Sequence, residues 1–302
     1  MARARKNPKP RNTSRDRQEE SGPQPGIYPI DTGTCELVRD HLTDGWILTV
    51  NGAQSSHINL DDPAQLDFEY MQWMAELARD HWSTENRLRV LHLGAGACSL
   101  ARYFAATYPD ARQVAVDIDQ KLTELVREWF DLPRAPLLRL RVGDAREVTE
   151  SLTDSTRDLI IRDVFAGSRT PAPLTTLEFT NHVRRVLAPG GIYVVNCGDT
   201  RDLSLARSEA ATLGSVFEHL TVIADPAMLK GRRYGNIVIA GSDVPIGDSP
   251  ALTRTLLGGV PAQIWLDPKV RSFAAAGKVL RDIAPDSSPS DGAEGNEPSE
   301  GP

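Results

Sequence analysis

Leu88-Arg89-Val90-Leu91-His92-Leu93-Gly94-Ala95-Gly96-Ala97-Cys98 is the stretch whose reading decides the fold. An apolar run short enough to be a buried strand ends at two glycines, and the pattern of residues 99–108 that follows is helical. Small residues at such a turn let the backbone approach a ligand while helix N–H groups point outward, although a bare strand-to-helix turn has the same spelling. Four further strand candidates succeed it: RQVAVDI (112–118), LLRLRVG (137–143), RDLIIRD (157–163) and GIYVVNCG (191–198). Helical patterns fill the gaps at 120–130 and 176–187, the second stopped by Pro189-Gly190-Gly191. This alternation predicts an α/β domain, a Rossmann-like parallel sheet with helices on both faces and right-handed crossovers. A helix near 203–217 then leads to HLTVIAD (219–225) and GNIVIAG (235–241), whose short connection predicts an antiparallel pair at the sheet edge.

Carboxylates recur where these strands end. Asp117 closes the second strand, at the distance from the glycines that lets a carboxylate accept hydrogen bonds from both ribose hydroxyls of a nucleoside. NAD enzymes share that pair of features, so it points to a ribose rather than to one cofactor. Asp119, just before a helical stretch, reads as its N-cap. Asp144 ends the third strand, where it suits an exocyclic adenine amine or a helix cap. Asp163 ends the fourth and faces the crevice, unless Arg162 or another arginine holds it in a salt bridge. His92, inside a strand, reads as a satisfied core histidine, and the other histidines form no metal-ligand pattern, so no metal is expected. Glu178 reads as a solvated first-turn acid.

The flanks bound the rest. Residues 1–26 are basic and nearly coreless, and 285–302 are acidic and rich in Pro, Gly and Ser, so both are expected to be disordered tails. Between them, residues 27–62 form a small β-region, with CELVRD and WILTV leading to the Asn51-Gly52 turn, and 63–284 form the nucleoside-binding domain. Leu66, Tyr70, Trp73, Met74 and Leu77 recur at helical spacing and mark the helix that enters it. No apolar run approaches the roughly 20 residues of a membrane span, the N-terminus is not signal-like, and the three separated cysteines read as reduced thiols, which together suggest a cytoplasmic protein. The net charge of −7 argues against a surface coated by nucleic acid. Pairing through the β-region is expected as a route to a symmetric dimer.

LGAGAC, VDID, GDA, IIRDVF and LTTLEFTNHVRRVLAPGGIYVVN, with the final strand pair, resemble the polyamine aminopropyltransferases, the spermidine and spermine synthase family, over about residues 46–241. Upstream, Asn51-Gly52-Ala53-Gln54-Ser55 and Phe68-Glu69-Tyr70 are similar to that family's DGxxQS turn and FxYxE segment. The resemblance implies a fold of the S-adenosylmethionine-dependent methyltransferase type. It also implies transfer of an aminopropyl group from decarboxylated S-adenosylmethionine, a donor substrate rather than a tightly bound cofactor, to a small-molecule amine, with release of methylthioadenosine. By position, Gln54, Gly94, Gly96, Asp117 and Asp144 would bind the donor, Tyr70 the acceptor, and Asp163 would be catalytic, accepting the amine proton. Three positions depart from the pattern, Ala97 and Ala166 standing where the family has Asp and Gln72 where it has Glu, and the turn Asn51-Gly52-Ala53-Gln54 is one residue shorter than DGxxQ. The alternatives are a methyltransferase using S-adenosylmethionine and a non-catalytic nucleoside-binding member.

Overall fold

A computed structural model describes residues 22–167, 169–258 and 262–283; both expected tails lie almost wholly outside these. The chain begins with four antiparallel strands in sequential order, β1 (Gly26–Ile30), β2 (Gly33–Asp40), β3 (Gly45–Val50) and β4 (Ala53–Ile58). Val50 pairs with Ala53, so Asn51-Gly52 is the two-residue hairpin turn read from the sequence, with both residues at positive φ. Helix α1 follows at Glu69–His81. It starts later than Leu66 because Asp62 folds the preceding segment into a turn, its side chain accepting from the Ala64 N–H and its carbonyl from that of Gln65.

The main domain then alternates β5 (Arg89–Leu93), α2 (Ser99–Thr107), β6 (Arg112–Asp117), α3 (Gln120–Trp129), β7 (Leu138–Val142), α4 (Ala145–Glu150), β8 (Arg157–Arg162), α5 (Leu177–Val186) and β9 (Leu187–Asp199). After these come α6 (Ser204–Gly214), β10 (His219–Ala224), the single-turn α7 (Pro226–Leu229), β11 (Gly235–Ser242), α8 (Pro250–Gly258), β12 (Gln263–Leu266) and α9 (Asp267–Ala274). The strand order is β12-β10-β11-β9-β8-β5-β6-β7. Strands β5 to β9 are parallel, and β10 and β11 form the expected antiparallel pair. The outermost place beyond them goes to β12, which pairs with β10. Pro189-Gly190-Gly191 lies inside β9 rather than between helix and strand: α5 ends at Val186, and the slip from Arg157–Leu187 to Leu159–Ile192 makes this segment a bulge at the strand's start.

Two apolar cores meet at α2 and β6, each of which contributes side chains to both. One lies between the sheet and the helices carrying Trp73, Phe104, Phe179 and Leu213. The other packs the inner face of the N-terminal sheet, Cys35, Leu37, Trp46 and Leu48, against Leu122, Leu125, Val126 and Trp129 of α3. Those four helix positions recur at i, i+3, i+4 and i+7, which is why α3 can present one apolar face. Asp119 caps α3 through the Leu122 N–H and also accepts from the N–H and hydroxyl of Thr32 in the β1–β2 turn, so the small sheet is fastened to the start of α3.

Beneath β8 lies a buried ion pair. Arg162, 1% exposed, donates to Glu209 of α6 at 2.6 Å and to the Leu174 carbonyl at 2.7 Å. Glu209→Ala should leave a buried guanidinium without its counter-ion and lower unfolding stability by about 3–5 kcal/mol in urea titrations. Arg162→Met/Glu209→Leu should recover most of that loss, short of about 1 kcal/mol for the bond to Leu174.

Candidate active site

The chain runs outward from β5 to β6 and β7, then returns to the other side of β5 for β8 and β9. Ligands of open α/β sheets bind beyond the carboxyl ends of the strands at such a reversal, and a cleft of about 960 Å³ opens there. Gln54, Tyr70, Gly94, Gly96, Asp117, Asp144 and Asp163, taken from six places along the sequence, all line it.

On one side, Gly94 and Gly96 take positive φ in the loop leaving β5. A side chain at Gly94 would collide with the carbonyl oxygen of Asp163, so glycine here is what lets the β5 and β8 ends touch. Asp117 secures the loop: one carboxylate oxygen accepts from the N–H groups of Ala95 and Gly96 at 3.2 Å each, and the other from that of Asp119 at 3.0 Å. Burial raises its pKa even against these three donors. Beside it Ile118 is an apolar side chain 62% exposed on the cleft wall, a feature that strand periodicity did not single out. Asp144 caps α4, one oxygen accepting from Arg146 and Glu147 N–H, and its residue lines the cleft as well; the capping reading describes its present bonds. Gln54 is exposed on β4, facing Thr49 across the hairpin.

On the other side, Asp163 follows β8 and is recessed at the cleft floor. Its Oδ2 accepts from the Tyr70 hydroxyl at 2.9 Å and its Oδ1 from the Asn196 amide at 2.9 Å. Arg162 points to Glu209, so the salt-bridge alternative for Asp163 is not the one realised. Desolvation raises the pKa of Asp163 against both hydrogen bonds, and desolvation together with Asp163 lifts that of Tyr70 well above its ordinary value. Asp67 and Glu69 stand at the mouth, and the wall includes Phe165, Arg233 and Tyr234. Arg233 reaches Asp225 at 2.8 Å and Glu69 at 3.4 Å, bridging the β10–β11 connection to the start of α1. Asn196, Asp67 and Phe165 were not among the sequence-derived candidates; for Arg232-Arg233-Tyr234, where the sequence left a loop closing over the crevice and a solvated loop equally open, Arg233 and Tyr234 line the cleft. His92 is buried on Gln113 at 2.8 Å, its pKa pushed down to about 4 by burial, and Glu178 accepts from the Asp282 N–H instead of standing free.

The polyamine aminopropyltransferase of Chromobacterium violaceum is 31% identical over 202 residues, 66% of this chain and 71% of that protein. The chain belongs to the polyamine aminopropyltransferase family. A solved structure of a probable spermidine synthase from Corynebacterium glutamicum is 50% identical, with a TM-score of 0.83 over 87% of this chain and 98% of that one. Spermidine synthase from Thermotoga maritima, 15% identical with a TM-score of 0.56 over 82% of each chain, shares the fold. The family model described as a methyltransferase domain matches residues 90–191, the nucleoside half of the sheet.

For an aminopropyltransferase, the three departures sit differently. Ala97 is buried in the core beneath the N-terminal sheet, its N–H donating to Ser56 Oγ at 2.9 Å, and its methyl is not part of the cleft lining. Gln72 turns back to the Leu66 carbonyl at 2.7 Å. Ala166 is exposed on the cleft wall, where a longer polar side chain would face the ligand space.

A raised carboxylate pKa means that the folded state favours the proton. The stability linked to Asp163 is therefore complete below about pH 3.9, the unfolded value, and is lost as pH rises through the folded value. Asp163→Asn, which keeps an acceptor for Tyr70, should thus gain thermal stability relative to the parent as pH goes from about 4 to 8; a difference in Tm that stays flat over this range contradicts the assignment.

Proposed function

We propose that this chain moves an aminopropyl group from decarboxylated S-adenosylmethionine to a small-molecule amine and releases methylthioadenosine, with Asp163 as the base. The observation that carries the reading is the Asp163 carboxylate, held by Tyr70 and Asn196 beside Gly94 in a cleft that Asp67, Glu69, Asp117, Asp119 and Asp144 also line, against Arg233 as the lining cation. Donor and acceptor are both cations, a sulfonium and an ammonium, and would repel each other in a neutral site. The acidic lining offsets that repulsion.

On this reading the nucleoside lies along β5, β6 and β7. Asp117 accepts from the ribose, Ile118 packs on the base, the free oxygen of Asp144 takes the adenine amine, and Gln54 closes over the donor from β4. An alkylamine of pKa about 10 arrives mostly protonated, and only the neutral form can attack. Asp163, its pKa raised by desolvation and its orientation fixed from two sides, is suited to take that proton. The nitrogen lone pair then displaces the thioether from the adjacent carbon, and the sulfonium leaves as neutral methylthioadenosine. The buried free thiols Cys35, Cys98 and Cys197 support a reducing compartment such as the cytoplasm.

A second reading has its own observation: without an Asp at position 97, the nucleoside half is that of a generic methyl donor site, which S-adenosylmethionine would also fill. One set of measurements separates them. Asp163→Asn should keep its calorimetric affinity for methylthioadenosine and lose roughly 100-fold or more in methylthioadenosine release across a panel of amines. Asp117→Ala should do the reverse first, weakening the nucleoside by about 1–3 kcal/mol for each ribose hydrogen bond lost. Methyl transfer from S-adenosylmethionine that persists in Asp163→Asn, with no methylthioadenosine from any amine, would replace the aminopropyl reading by the methyltransferase one. Nucleoside binding with silence in both assays would mark a non-catalytic member.

A further inference from the structure

Asn196 lies in the middle of β9 within the apolar run Ile192 to Cys197, where a polar amide is out of place unless both of its arms are used. It is 1% exposed and still lines the cleft. Its Nδ2 is committed, donating to Asp163 Oδ1 at 2.9 Å. That contact fixes the amide's orientation, because an ionised carboxylate can only accept. Its Oδ1 is buried and has no hydrogen-bond partner within the protein. A desolvated carbonyl oxygen without a donor is costly, and one beside the proposed base in a ligand cleft marks where a ligand's N–H belongs.

We infer that Asn196 is a substrate-binding residue of the reaction proposed above: its Oδ1 accepts a hydrogen bond from the attacking nitrogen of the acceptor amine, while its Nδ2 holds Asp163. The inference rests on the aminopropyl-transfer reading and adds a specificity to it. A neutral primary amine has two N–H bonds and one lone pair. With one N–H directed to Asp163 and the other to Asn196, the lone pair is left with a single direction, toward the carbon bearing the sulfonium. The lone pair forms the new C–N bond and the C–S pair goes to sulfur; the secondary ammonium so formed keeps its proton, Asp163 having already taken the one that freed the lone pair. A secondary amine has one N–H and cannot satisfy both oxygens. The site therefore selects primary over secondary nitrogen.

The test compares 1,4-diaminobutane with its N,N′-dimethyl derivative, using decarboxylated S-adenosylmethionine as donor and kcat/KM for methylthioadenosine release as the readout. The parent should prefer the primary diamine by about tenfold or more, the effect of one missing hydrogen bond to a buried acceptor. Asn196→Leu, similar in volume but without polar arms, should bind methylthioadenosine as the parent does, lose rate with both amines and lose the preference between them. Loss of support to Asp163 alone would slow both amines equally and shift the pH profile while leaving their ratio intact, and that outcome overturns the inference. If Asn196→Leu no longer binds methylthioadenosine, Asn196→Val, a better strand residue, carries the same comparison. A parent that releases no methylthioadenosine with these or any other amine rejects the transfer reading itself, whereas an active parent with an unchanged ratio in the variant rejects only the role of Asn196.

Discussion

A carboxylate withdrawn from bulk water at the end of a parallel strand is the constraint on which the rest of this site depends. Desolvation pushes the pKa of Asp163 up, and without partners its carboxylate would have no fixed direction. Tyr70 from α1 and Asn196 from β9 give it two donors, the first packed into the main core and the second buried within its strand. The entering helix, the strand on one side and the loop of β5 on the other therefore converge on one group. Arg162, the preceding residue, points to the opposite face of the sheet and ties the same strand to α6 and to the turn at Leu174 that forms another part of the cleft wall. Alternation along β8 thus places a chemical carboxylate on one side and a structural ion pair on the other.

Much of this was legible in the sequence because the signals are local. Apolar runs ending at Gly94, Asp117, Gly143-Asp144 and Asp163 announce strands whose carboxyl ends share an edge, and Asp119 announces a cap. Asn196 was not legible, since within YVVNC it reads as a polar interruption. Its meaning depends on the β8–β9 register, which pairs Arg162 with Val195 and so sets Asn196 beside Asp163. Arg233 lies in a connection whose sequence does not say what it reaches, and Ile118 becomes notable only once its exposure is known. The elements after residue 245 were missed for a related reason: β12 has four residues, and its place is set by pairing with β10 rather than by any periodicity of its own.

The family's carboxylates absent at 97 and 166 do not have equivalent surroundings. At 97 the methyl group belongs to the packing between the N-terminal sheet and α3, so a charged residue would have to be desolvated there. At 166 the position is open, and only electrostatics distinguishes Ala from Asp. Divergence in the acceptor half is therefore physically cheap, while divergence beneath the glycine loop is embedded in the fold. Glu69 and Asp67 retain negative charge at the mouth, and Arg233 neutralises part of it from within.

Gly94 sets a limit on how such divergence can proceed. The backbone of the donor loop rests directly on the carbonyl of the residue that would take the proton, with no side chain between them to grow or shrink. On the proposed reading, the spacing between donor and acceptor is thus set by main-chain atoms at this contact. Descendants of this architecture can exchange one amine for another, or one sulfonium for another, by altering the walls. The distance over which the bond forms is inherited.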